Sequence, residues 1–320
     1  MQKKEIGRIL CDYGLGKLRD KERMTEGYAN VNYKVETAKG NFLFRIYKQK
    51  SQEDIGYEIR VLNELRKSNF PAAFPIKRED GNFITNTRKG PVVVYEYIEG
   101  EEPEINKKSV KEVARGVARL NSFRGWREFK RKNPLSLELC NQIIERFDKA
   151  ENKYPEIFKY FKEQTEFLSD LIGGELPRGL VHGDIFPDNT KFRNNTLVAI
   201  LDFEEVCIDD LLFDIGMTIN GFCFENNNLS NGLLRTLLKE YNKTRKITPK
   251  EKELLPYYIQ LTAHTTIGWH LKRILNKKDN KKLKRARELM KRVKNLRKSS
   301  FPSIGLMRQP GVEPGSPRLY

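Results

Sequence analysis

The chain has 320 residues, 38% hydrophobic and 10% aromatic, which is enough apolar material for two packed lobes or one large domain. Four scattered cysteines without a C-x-x-C pair, and only three histidines, exclude a disulfide framework and a zinc cluster. The net charge of +17 is local: residues 272–298 hold 14 Lys/Arg against two acids, leaving about +5 on the rest. The opening residues are charged throughout, and no apolar run approaches the length of a membrane span. The chain therefore reads as a soluble, cytoplasmic protein whose thiols are reduced and mostly buried.

Ile6, Ile9, Leu10 and Tyr13 keep helical spacing and predict an amphipathic helix that stops at Gly14 and Gly16. The period then changes. Val31, Tyr33, Val35 and Thr37 alternate, Lys39-Gly40-Asn41 turns, and FLFRIYK alternates again, the pattern of a β-hairpin. Ile55, Ile59, Leu62 and Leu65 predict a second helix, and PVVVYEYIEG a buried strand ending in a turn. From Ser109 to Ile172 the spacing is mainly helical, so a β-rich part gives way to an α-rich part near residue 100. After a GGELPRG loop, TKFR and TLVAILDF flank Asn194-Asn195 and predict a second hairpin. Helical spacing resumes at Leu211 and runs to about Lys298. Residues 299–320, rich in Pro, Gly and Ser, have no periodicity and read as a disordered tail. The division is then 1–100, 101–276, a basic helical extension at 277–298, and the tail.

Moving the γ-phosphoryl group of ATP to a hydroxyl needs a carboxylate facing the acceptor, ligands for Mg²⁺, and a cation near the phosphates. In HGDIFPDN, Asp184 and Asn189 lie five residues apart on one loop. Asn189 immediately precedes the predicted hairpin and Asp202 follows it, so hairpin closure places them side by side as a two-ligand metal site. Capping roles in turns and helices are the bland alternative for all three. His182, with no second ligand or nucleophile near it in sequence, reads as a brace for the loop. In the first part, Arg45 points opposite to Phe44 and Ile46, and Glu58 lies on the next helix. Such a strand cation and helix acid can hold the α- and β-phosphates as a pair, and each is equally compatible with ordinary surface charge. GYANVNY has one glycine and makes a poor phosphate-covering turn. GLGKLR lacks the third glycine of a dinucleotide fingerprint, and no P-loop occurs.

On GYANVNYKVET, FRIYK, VARLN, NPLSL, LVHGDIFPDN and LDFEEVCIDDLLFDIGMTINGFCFE, the chain resembles the aminoglycoside phosphotransferase and choline kinase superfamily, and within it the homoserine kinase subgroup. The likeness extends to about residue 276. It implies an α+β, protein-kinase-like fold of two lobes, with a small β-rich N-lobe and a larger, mainly helical C-lobe. It also implies ATP and Mg²⁺ as cofactors, Asp184 as catalytic base, Asn189 and Asp202 as metal ligands, and Arg45 with Glu58 at the phosphates. Glu96, Tyr97 and Ile98 would form the hinge facing adenine, and Asp214 would support the catalytic loop. The chain departs from that pattern at Leu120-Asn121, Gly221 and Ile267-Gly268-Trp269, positions that the resemblance would place around the acceptor pocket. The implied activity is phosphorylation of homoserine. Choline, ethanolamine, another hydroxylated amino acid or an aminoglycoside are the alternative acceptors. A basic module binding nucleic acid or a membrane surface through Lys272–Lys298, on a pseudokinase body, is the non-enzymatic reading.

Overall fold

The computed structural model describes residues 1–24, 30–149, 154–276 and 279–298. Gly27, Tyr28 and Ala29 of the GYANVNY turn and the whole of the tail at 299–320 lie outside the described residues.

The first helix is α1 (Lys3–Asp12), and it ends where Gly14 and Gly16 take positive φ, +63° and +79°. Behind it stands a five-stranded antiparallel sheet in the order β1-β2-β3-β5-β4, with β1 Leu18–Arg23, β2 Val31–Thr37, β3 Gly40–Ile46, β4 Thr85–Thr87 and β5 Gly90–Glu96. The β2–β3 hairpin forms as its alternation predicts, with Val31 opposite Ile46 and Thr37 opposite Gly40. Two strands escape sequence pattern. β1 reads LRDKER and buries only Leu18, as suits an edge strand kept charged against association. β4 has three residues.

The pleat sorts the sheet into two faces. Phe44, Ile46, Val92 and Val94 pack with Ile6 and Leu10 of α1 and with Tyr13 just beyond it. Tyr47, Val93 and Tyr95 face the other way, toward α2 (Gln52–Lys67), which a Ser51–Asp54 capping box starts. Arg45 shares that second face.

Beyond residue 100 the chain is mainly helical: α3 (Lys107–Asn121), α4 (Leu137–Lys149), α5 (Pro155–Leu171), α6 (Leu212–Phe222), α7 (Asn231–Thr244), α8 (Pro249–Asn276) and α9 (Asn280–Lys298). Among them sit β6 (Arg178–Val181) paired with β9 (Cys207–Asp210), and β7 (Thr190–Arg193) paired with β8 (Thr196–Ile200). Asn194 and Asn195 turn the β7–β8 hairpin at φ +51° and +60°, the left-handed pair of a type I′ turn. A tiny hairpin, β10 (Phe224–Glu225) with β11 (Asn228–Leu229), repeats the device with Asn226-Asn227 inside a region of helical spacing.

α6 is buried on nearly every side and forms the axis of this half. It lies close against α8: a Cβ at Gly216 would stand 2.7 Å from the Tyr258 carbonyl oxygen. α9 is more than a charged extension. Leu283, Ala286, Leu289, Met290, Val293 and Leu296 are buried, and Arg297 stacks on Phe167 at 3.8 Å. Much of the basic stretch at 272–298 is therefore the outer face of a packed helix. No helix among the described residues is long and apolar enough to cross a membrane. Cys140, Cys207 and Cys223 are buried free thiols, and Cys11 is exposed.

α8 also carries His264, fully buried between α5 and α8 with its Nε2 2.8 Å from the Thr165 hydroxyl oxygen and its ring 4.3 Å from that of Phe161. Burial lowers its pKa to about 3. An unfolded histidine titrates near 6.5, so the folded state binds fewer protons. The stability this contributes is complete above about pH 6.5 and declines as pH falls. The advantage of the wild type over His264→Gln in urea unfolding should thus shrink by up to about 1.4 kcal/mol per pH unit below pH 6.5. A constant advantage down to about pH 5 would contradict the neutral buried imidazole.

Candidate active site

The loop after β6 begins at His182 and is held from beneath. The Asp214 carboxylate, fully buried on α6, accepts the backbone N–H of His182 at 2.9 Å and of Gly183 at 3.0 Å. Asn121, at the end of α3, donates to the same carboxylate at 3.0 Å and to the Leu180 carbonyl at 3.1 Å. Its own amide oxygen accepts from Tyr241 (2.8 Å), which in turn accepts from Arg245, itself paired with the buried Glu251. Burial raises the Asp214 pKa to about 6 against the pull of these donors. Gly183 turns at φ +84°, leaving its Cα close to the Glu205 carbonyl.

His182 joins this loop to the strand ends. Its Nε2 donates to the Leu201 carbonyl (2.8 Å), and its Nδ1 accepts from the backbone N–H of Asp184 (3.2 Å), which assigns the neutral tautomer with the proton on Nε2. Burial depresses its pKa to about 4, so it remains neutral.

The hairpin brings its flanks together: Thr190 pairs with Ile200, and the Leu201 N–H donates to the Asn189 carbonyl at 2.8 Å. Asn189 Nδ2 donates to both the backbone carbonyl (2.9 Å) and the carboxylate (2.8 Å) of Asp184, which commits the nitrogen and turns the amide oxygen away from Asp184. Asp202 stands at φ +63°, in the left-handed region. That strain is of the kind a functional site retains.

Arg45 crosses from the sheet to this cluster, with Nη1 3.1 Å from Asp202 and 3.2 Å from Glu204. The pairing with Glu58 that the strand-and-helix order predicts is not direct. Glu58 is buried and accepts instead from Tyr47 (2.9 Å) and Tyr95 (3.3 Å), whose rings flank the Arg45 guanidinium. The two tyrosines occupy the sheet face between cation and acid, and the acids of the other lobe lie nearer. Glu96 pairs with Arg66 at 3.0 Å, while Tyr97 carries Lys34 over its ring and Ile98 follows on the segment leaving the sheet.

Carboxylates crowd this spot. Burial, then the charge of Asp202, then Asp188 and Glu205, push Asp184 up to about 8. Burial and Asp202 push Glu204 to about 9. Burial also pushes Asp202 upward, but Arg45 and the hydrogen bond from Glu204 outweigh it and hold Asp202 below the usual range. Such a cluster attracts a cation, and its donors are oxygens. Among the described residues no group of three His, Cys, Asp or Glu forms a metal cage. An Asp and an Asn oxygen alone suit Mg²⁺, which is ordinarily completed by phosphate and water oxygens.

Two features escape sequence reasoning. Glu204 and Glu205 follow Asp202 after Phe203 alone, yet look like a surface pair; Glu204 bonds Arg45 and Asn30, and Glu205 bonds Lys50. Asn121, which the resemblance would place at the acceptor pocket, lies instead under the loop. Gly221 is likewise scaffold: a Cβ there would stand 2.8 Å from the Ile185 carbonyl oxygen. Ile267 is fully buried, and a Cβ at Gly268 would meet Ile143 and Phe161. Replacing Asn121 with Leu strips Asp214 of one donor and leaves the Leu180 carbonyl unpaired, at a cost of about 2–3 kcal/mol in urea unfolding; a change below about 0.5 kcal/mol would show that the bond network carries no stability.

The model described as the phosphotransferase enzyme family matches residues 22–247. The homoserine kinase of Rhizobium meliloti is 28% identical over 263 residues, covering 79% of this chain and 78% of the relative. The homoserine kinase of Bartonella tribocorum is 30% identical over 252 residues, covering 76% and 77%. Among solved structures, a microcompartment-associated aminopropanol kinase superposes with a TM-score of 0.72 at 16% identity over 93% of this chain and 97% of its own. A spectinomycin phosphotransferase in complex with ADP and spectinomycin gives 0.67 at 14% identity over 93% and 99%. The fold is that of the protein-kinase-like phosphotransferases, a small antiparallel N-lobe on a larger helical C-lobe. The chain belongs to the phosphotransferase enzyme family.

Proposed function

We propose that the protein transfers the γ-phosphoryl group of ATP to the side-chain hydroxyl of homoserine. The observation that carries the reading is the meeting of Asp184, Asn189 and Asp202 at one point, with Arg45 reaching it from the other lobe. Homoserine is the acceptor named for relatives at 28–30% identity.

In this reading Asp184 faces the acceptor hydroxyl, orients it for in-line attack and takes its proton as the O–P bond forms. Burial and neighbouring acids raise its proton affinity, which suits a group that must accept a proton. Asn189 and Asp202 supply the metal's protein ligands, and bound Mg²⁺ would neutralise charge on the β- and γ-phosphates. Arg45, now spanning Asp202 and Glu204, is the cation available to the phosphates, and Glu58 keeps the Tyr47–Tyr95 face in place behind it. Glu96, Tyr97 and Ile98 form the hinge beside adenine. His182 and Asp214 brace the loop and touch no reactant. A neighbouring solved structure, an amicoumacin kinase, is described with AMP-PNP, Ca²⁺ and its substrate bound, which supports the choice of a nucleotide and a divalent cation.

The test is a coupled ADP-release assay over homoserine, choline, ethanolamine, serine and an aminoglycoside. Homoserine should give ADP only with Mg²⁺ present. Asp184→Asn should lower kcat by about 10²–10⁴-fold at unchanged melting temperature. Undiminished turnover in that variant would sink the mechanism, and turnover confined to another alcohol would replace the acceptor.

A further inference from the structure

The end of α8 and the start of α9 bring cations to the flank of the catalytic loop. Arg273 lies flat on Trp269, with Cζ 3.7 Å from the ring centroid, and donates to Gln49 on the loop after β3 at 3.3 Å. Arg285 stands 5.6 Å from the ring of Phe186, two residues past Asp184. Lys282 lies between them in sequence, paired with Asp279 at 2.5 Å. All three act on His270, which is only 9% exposed and whose Nδ1 finds no hydrogen-bond partner among the described residues. Burial first, then Arg285, Lys282 and Arg273, hold that imidazole neutral with a pKa of about 4.

The group is tied to the site in two ways. Arg273 feels the charges of Glu205 and Glu204, and Glu205 in turn acts on Asp184. Arg292 of α9 donates to the Asn220 carbonyl beside Gly221, where an added Cβ would meet the Ile185 carbonyl oxygen at 2.8 Å and Phe186 at 3.3 Å. The α8–α9 junction is thereby packed against the loop that carries Asp184. Covering the Trp269 and Phe186 rings would account for either arginine alone. It does not account for three cations acting on one buried histidine whose Nδ1 lacks a hydrogen-bond partner among the described residues. Their nearby acids, Asp279 and Glu288, sit on the α9 side.

We infer that Arg273 and Arg285, with Lys282, form the subsite for an anionic group of the acceptor, a carboxylate, so that the enzyme selects a hydroxylated amino acid over the corresponding amino alcohol. A carboxylate takes two charge-assisted hydrogen bonds from a guanidinium held flat by stacking. This assignment rests on the phosphotransfer reading above, which it makes more specific.

Matched alcohols test it with the full-length protein: homoserine against 3-aminopropan-1-ol, serine against ethanolamine, threonine against 1-aminopropan-2-ol. Each pair differs only by the carboxylate. The wild type should favour the carboxylate member in the pair it uses. Arg285→Ala and Arg273→Ala should each lower that kcat/KM ratio by about tenfold or more, with KM for ATP held within about twofold and partial recovery in Arg285→Lys. A general folding defect lowers both members together and so cannot produce the fall in the ratio. An unchanged ratio, a rise in KM for ATP in place of the acceptor, or a wild type preferring the amino alcohol in every pair would overturn the subsite. Calorimetric binding of homoserine separates the two readings. Binding lost about tenfold in Arg285→Ala supports the subsite even if no alcohol yields ADP, an outcome that would defeat the phosphotransfer reading alone. Homoserine, serine and threonine all failing to bind the wild type would defeat the subsite.

Discussion

A single buried carboxylate sets the geometry on which the site rests. Asp214 accepts two consecutive backbone N–H groups of the loop that carries Asp184. It sits on the one helix that the rest of the C-lobe surrounds. Leaving such a carboxylate without donors in the interior would cost several kcal/mol, so Asn121, Tyr241, Arg245 and Glu251 form a continuous chain of polar partners reaching from α3 to α8. The loop is therefore positioned by helices that take no part in chemistry. His182 completes the frame from above, tying the loop to Leu201 at the mouth of the hairpin.

The second constraint is electrostatic. Asp184, Asp202, Glu204 and Glu205 stand close together in a partly desolvated space, and the cost appears as raised proton affinity at Asp184 and Glu204. Arg45 relieves part of it by pairing with Asp202 and Glu204 across the lobes, and Lys50 pairs with Glu205. The guanidinium lying over the Tyr47 and Tyr95 rings therefore couples the sheet to the loop. In the proposed reading, a nucleotide and its metal would enter a site already prepared for positive charge, with the phosphates competing for Arg45.

Much of this was legible in the residues. The Asn194-Asn195 hairpin follows from two asparagines able to adopt positive φ between alternating strands, and with it the approach of Asn189 to Asp202. Alternation along β3 likewise put Arg45 opposite Phe44 and Ile46. The rest depended on information that sequence spacing does not hold. β1 has no apolar alternation because an edge strand needs none, and the β10–β11 hairpin has strands of two residues within helical surroundings. Arg45 and Glu58 stand in the right order for a direct pair, yet Tyr47 and Tyr95 come between them. Glu204 and Glu205 look like ordinary surface acids until the turn after Asp202 carries them inward. The basic run at 272–298 suggested a solvated or nucleic-acid-binding face, but its apolar positions every three or four residues bury one side of α9. Asn121 stands out in sequence only as a departure from the family pattern, and its place beneath the loop is hidden because its partner Asp214 is 93 residues away.

The most direct test of the central claim follows the phosphorus atom itself. In ³¹P NMR of the full-length protein with Mg²⁺, ATP and homoserine, a phosphate monoester resonance should grow in step with ADP while inorganic phosphate stays at its starting level. ADP accompanied by inorganic phosphate alone, or ATP left unconsumed, would contradict phosphoryl transfer onto the homoserine hydroxyl.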